Sequence, residues 1–121
     1  MSITIRKVLA KDIIAKVWGF ENIVVNNEHY CGKLMTLLPR LQSSLHYHPV
    51  KNETMYITGG RMQIESPKDH FRTVVIGDII DIPANVEHRF VNPFEYPCSF
   101  YEFSQPHDDN DVVRIEDSRS V

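Results

Sequence analysis

Apolar and polar positions alternate in short runs along most of the chain, which is the period of strands that bury one face. Ile3 to Ile5 alternates in this way, and the β-branched run Ile23 to Val25 closes at the turn pair Asn26-Asn27. Leu34 to Leu38 stops at Pro39, and Leu45 to His48 stops at Pro49. Thr54 to Thr58 ends at Gly59-Gly60, Arg61 to Glu65 at Ser66-Pro67, and Phe71 to Ile76 at Gly77-Asp78. Ile79 to Ile82 ends at Pro83, His88 to Val91 at Asn92-Pro93, and Ser99 to Phe103 at Ser104-Gln105-Pro106. The pattern predicts about ten short strands separated by turns, an all-β antiparallel sandwich or barrel with little helix. Only Val8 to Val17 has helical spacing, with Leu9, Ile13, Ile14 and Val17 three or four residues apart, and it predicts one short helix. The tail from Pro106 begins acidic and then alternates through Val112-Val113-Arg114-Ile115, which reads as a loop, a closing strand and a frayed end.

Composition narrows the function classes. The chain has 121 residues, enough for one domain over 1–121 with one core. With 13 basic and 16 acidic side chains its net charge is −3, which argues against a nucleic-acid partner. No apolar run approaches the roughly 18 residues that span a bilayer, so no membrane partner is expected. No apolar stretch follows Arg6 and Lys7, so no export signal is expected either. The expected location is the cytoplasm, with Cys31 and Cys98 as reduced, buried thiols rather than a disulfide.

The chemistry concentrates in Ser44-Leu45-His46-Tyr47-His48-Pro49-Val50-Lys51-Asn52-Glu53. Two residues apart on a strand, His46 and His48 project from one face. Glu53 opens the next run after a turn, where an antiparallel pairing with the His46 strand would bring its carboxylate to the imidazoles. His88 follows a second proline turn. Three neutral imidazoles and one carboxylate suit a borderline divalent metal: Zn or Mn first, with Fe, Co or Ni also compatible. Such a set can leave coordination positions open for a ligand.

These residues resemble the cupin superfamily, small β-barrels that hold a metal inside. The family's first motif is matched by His46-Tyr47-His48, four residues, Glu53, six residues and Gly60, with Arg40 where the family has a leading Gly. The second is matched by Gly77, Pro83, His88 and Asn92, with Asn85 in place of the middle Gly. The two motifs fall within residues 40–92. The resemblance implies a single jelly-roll-like cupin barrel in which His46, His48, Glu53 and His88 bind the metal. A narrower likeness is carried by Trp18-Gly19-Phe20-Glu21, by Lys33-Leu34-Met35-Thr36 and by Asp111-Val112-Val113-Arg114-Ile115-Glu116-Asp117. These segments resemble cupins related to the mannose-6-phosphate isomerase domain. They imply a metal-dependent sugar or sugar-phosphate isomerase or epimerase acting through an enediolate, a small-molecule sugar ligand, and a homodimer. Two other readings stay open: a binding or sensing module without turnover, and an iron-dependent dioxygenase.

The remaining candidates follow from position. Tyr101, on the last strong strand, and Lys33, ahead of its strand, are the candidates for proton transfer. Arg61 and Arg89, beside the expected pocket strands, are candidates to hold a phosphate. Trp18 reads as a core or lid anchor. His29, His70 and His107 fall in turn regions and are expected to be exposed.

Overall fold

The computed structural model describes residues 1–68 and 70–121. The alternating runs become β2 (Gly19–Asn26), β3 (Cys31–Leu37), β6 (Glu53–Gly59), β7 (Arg61–Ser66), β8 (His70–Val75), β9 (Ile79–Ile82), β10 (Arg89–Asn92) and β11 (Cys98–Ser104). Shorter pieces are β1 (Ile13–Lys16), β4 (Leu41–Gln42), β5 (Leu45–Tyr47), β12 (Val113–Glu116) and β13 (Arg119–Ser120). One sheet runs β1-β2-β3-β11-β6-β9 and a second runs β13-β4-β10-β7-β8, while β12 pairs with β5. Every pairing is antiparallel. This is the expected all-β barrel of two facing sheets.

The core lies between the sheets. Leu37, Met55, Ile57, Met62 and Phe100 are fully buried there, joined by Trp18, Met35 and Phe90. Burying a side chain of this size contributes about 1.5–3 kcal/mol. The alternation is clean on β11, where Cys98, Phe100 and Glu102 point inward while Tyr101 and Phe103 stack on the other face.

Turn chemistry sets the strand ends. Gly60 joins β6 to β7 at φ 69°, and a Cβ there would lie 2.2 Å from the Pro97 carbonyl oxygen, so only glycine fits. Arg40 and Asn85, which stand where the cupin motifs carry glycine, adopt φ 63° and 68°. The left-handed conformation is kept although the glycine is not.

Three expectations are corrected. Val8 to Val17 is not a helix: only Ala10–Asp12 turns as a 3₁₀ segment, and Ile13–Lys16 is β1, paired with β2. Its β-branched residues gain a complete ladder there, which a short helix could not offer. The alternating Ile3 to Ile5 forms no strand and is exposed. Nor does the Glu53 strand pair with the His46 strand. β6 lies between β11 and β9, whereas β5 pairs with β12 and meets His88 through a single bridge to His46.

Candidate metal centre

β5 carries His46 into the barrel and the chain leaving it places His48 close by. Backbone hydrogen bonds in both directions between His46 and His88, at 3.1 and 2.9 Å, fix the third imidazole opposite. The ring centroids of His46 lie 5.0 Å from those of His48 and 4.6 Å from those of His88. One ligand atom from each of the three residues falls within 4.8 Å of the others. Glu53, at the start of β6, reaches the cluster from across the barrel. Its Oε1 lies 3.3 Å from His48 Nε2 and 3.5 Å from His88 Nε2.

Each imidazole is oriented from behind. Nδ1 of His46 meets the Ser44 carbonyl oxygen at 2.9 Å, that of His48 the Asp111 carbonyl oxygen at 2.7 Å, and that of His88 the Val86 carbonyl oxygen at 2.8 Å. A carbonyl oxygen only accepts, so Nδ1 is the protonated nitrogen of all three rings. Each Nε2 then presents a lone pair, which is the tautomer a metal-binding histidine needs. The side chain of Asp111 also accepts from the Val50 and Lys51 backbone N–H groups, fixing the turn between His48 and Glu53.

The inward side of this cluster is unsatisfied. Both carboxylate oxygens of Glu53 and Nε2 of His88 are buried without a hydrogen bond among the described residues. Leaving such groups unpaired costs about 1–3 kcal/mol each. A divalent cation among them would satisfy all three, so the donor set fits the metal that the sequence implies. Burial holds His46 neutral, lowering its pKa to about 3 with help from neighbouring His88. Burial likewise lowers His48 to about 4. Burial alone would raise Glu53, but the close approach of Glu102 and His88 and the charge of Lys51 bring it below the usual range. Neutral imidazoles beside an ionised carboxylate are the ligand forms of these groups.

The centre opens into a cavity of about 1190 Å³ whose lining includes Trp18, Met35 and Phe90 together with charged groups. Lys33 lines it, 3% exposed, with Nζ 3.6 Å from Glu21. Burial would lower the Lys33 pKa, but the carboxylates of Glu102 and Glu21 outweigh it and keep the amine protonated. Lys33 thus stands as a cation in the cavity wall. Tyr101 does not reach the cavity. The strand alternation turns it to the outer face and puts its neighbour Glu102 inside.

The two expected phosphate ligands are also elsewhere. Arg89 is 1% exposed, and its guanidinium donates to the Ser43 carbonyl, the Glu116 carboxylate and the Asp117 carbonyl at 2.8, 2.9 and 3.0 Å. It ties the end of the chain to the barrel. Arg61 stacks over the Phe94 ring, 3.8 Å from its centroid, in a separate cleft. His29 and His70 are exposed as expected, but His107 is not. It lines the cavity, accepting from Lys51 Nζ and donating to Asp109, both at 2.9 Å. The Asn26 side chain clamps the His107 backbone on both sides.

Sequence reasoning gave no site role to Glu102, Lys51, His107, Asp111 or Arg114, although Asp111 and Arg114 lie in the segment that carries the isomerase likeness. The signal for Glu102 was present, since the period that buries Cys98 and Phe100 must bury it too. Lys51, His107, Asp111 and Arg114 depend on where the tail folds back, which no local pattern encodes.

Comparison with known proteins agrees with this architecture. A family model described as "Cupin domain" matches residues 33–104. No curated protein matches the chain. A sugar phosphate isomerase of the cupin superfamily from Silicibacter pomeroyi is 19% identical with a TM-score of 0.70, covering 92% of each chain. A conserved protein with a double-stranded β-helix domain from Klebsiella pneumoniae is 15% identical with a TM-score of 0.71, covering 91% of this chain and 90% of that one. The capsular polysaccharide assembling protein CapF from Staphylococcus aureus is 18% identical with a TM-score of 0.74, but the match spans only 34% of its chain and 91% of this one. At these identities the likeness shows the fold.

Proposed function

The chain belongs to the cupin domain family, and we propose that its barrel frames the site of a metal-dependent sugar or sugar-phosphate isomerase or epimerase. The observation that carries the reading is the cluster of His46, His48 and His88 with the Glu53 carboxylate beside it, whose buried oxygens have no hydrogen bond among the described residues. A divalent ion held there, with Zn or Mn favoured, would act as a Lewis acid toward the adjacent carbonyl and hydroxyl oxygens of a sugar. The likeness to a sugar phosphate isomerase and the mannose-6-phosphate isomerase-like segments around Trp18 and Asp111 support the substrate class.

The chain's own residues supply the rest. Trp18, Met35 and Phe90 give the cavity an apolar wall for the carbon face of a sugar. Lys33 stands protonated beside Glu21 and can donate to a ligand hydroxyl or carbonyl oxygen. Glu102, a buried cavity carboxyl outside the proposed ligand set, takes the place of Tyr101 as the group that would carry a proton between adjacent carbons. The exposed apolar residues Ile13, Phe20, Tyr56 and Phe103 are where a second copy would pack. A sedimentation mass equal to the 14.1 kDa chain would remove the homodimer from this reading. The buried free thiols of Cys31 and Cys98 suit a reducing cytoplasm.

Hydrogen exchange tests the activity. The metal-loaded protein in deuterated water is expected to place label at the carbon beside the carbonyl of an aldose, a ketose or one of their phosphates. Label in none of a panel of these sugars, with ligand binding retained, favours the binding module. Oxygen uptake by the iron-loaded protein would favour the dioxygenase.

A further inference from the structure

Lys33 and Lys51, the buried cations of the cavity, are already matched by Glu21 and Glu53. Arg89 is consumed by the tail, and Arg61 lies in another cleft. Arg114 on β12 remains. Its register partner is His46, so their side chains leave the same face of the two-stranded sheet. Directly opposed residues have Cβ atoms about 4.5–5.5 Å apart. The cavity is lined by Val112 and Arg114 but not by Val113, the alternation expected if Arg114 points inward. Arg114 stands exposed at the rim of the cavity, and among the described residues its guanidinium makes no hydrogen bond or ion pair. Lys16, the other rim cation, lies on β1 at the edge of the six-stranded sheet, whereas Arg114 lies on the strand paired with the His46 strand.

We infer that Arg114 receives an acidic group of the ligand held at the metal centre, either a carboxylate or a phosphate, and so sets a preference for anionic over neutral sugars. The inference rests on the sugar reading of the same site. A planar guanidinium beside the His46 ring can pair with two oxygens of such a group at once. The group would sit across the strand pair from the metal ligand. The site would thus hold one end of the ligand at the metal and the acidic end at Arg114. The acidic rim residues Asp108, Asp109 and Asp117 would tend to exclude an anion that could not reach the guanidinium.

Calorimetric titration of the manganese-loaded protein reads this without turnover. The probes are glucuronate and mannose 6-phosphate, each against glucose and mannose. The parent protein is expected to bind at least one anionic probe about tenfold more tightly than its neutral counterpart, and whichever probe gains identifies the acidic group. Arg114→Gln should remove that difference while leaving the neutral affinities unchanged, and Arg114→Lys should restore part of it. An unchanged preference in Arg114→Gln overturns the inference and leaves the sugar reading intact, as does equal binding of neutral and anionic probes by the parent. Binding of none of the four probes by the metal-loaded parent overturns the sugar reading and this inference with it.

Discussion

Burial holds His46 and His48 neutral, and that has a consequence for the metal-free protein. His46 and His48 ionise near 3 and 4 in the folded chain against 6.5 when exposed, with burial as the main cause. Burial also lowers His107. A depressed imidazole is stabilising above its unfolded pKa, and that stability is lost as pH falls below 6.5 and the unfolded chain takes up protons. Glu102 acts oppositely. Burial and the neighbouring Glu53 raise its pKa, so it gains stability as pH falls through the same range. Three imidazoles outweigh one carboxyl, so the melting temperature of the metal-free protein should fall between pH 6.5 and 4.5. A melting temperature that is flat or rises toward pH 4.5 would show that the imidazoles are not buried neutral. At this scale the ligand set was legible, because His46, His48, Glu53 and His88 sit at fixed spacings around proline and glycine turns. The wall residues were not. Whether Tyr101 or Glu102 faces inward depends on register, and a shift of one residue exchanges the faces.

Strand by strand, the long alternating runs were readable and the short closing pieces were not. β6, β7, β9 and β11 fall close to the apolar runs because turn residues punctuate them. β1 was hidden by an accidental helical spacing. β4 and β13 are two residues each and exist only through pairing with neighbours. β12 owes its place partly to Arg89, whose guanidinium holds Glu116 and the Asp117 carbonyl from inside the barrel. Arg89→Ala should therefore cost about 2–4 kcal/mol, through lost charge-assisted hydrogen bonds and a vacated buried site. Chemical denaturation measures this directly. A loss below about 0.5 kcal/mol would place Arg89 among surface charges.

The whole molecule is a two-sheet barrel whose metal ligands come from three separate places along the chain: the end of β5, the start of β6 and the turn before β10. The fold brings them together, and the tail lines the cavity with His107 and Arg114. The barrel class was legible because turn-bounded alternation fixes it, whereas the packing of strands against one another was legible only through the cupin likeness. Glu53 shows the difference: its position in sequence suggested a neighbour of the His46 strand, and it arrives from the opposite sheet. The central claim is that these four side chains share one divalent ion. Metal titration of the parent protein and of His88→Ala, with the β-rich circular dichroism of each confirmed first, tests it most directly. The account predicts one ion bound per chain in the parent and binding weaker by about 100-fold or more in the variant. Equal affinity in the two proteins, both folded, would contradict it.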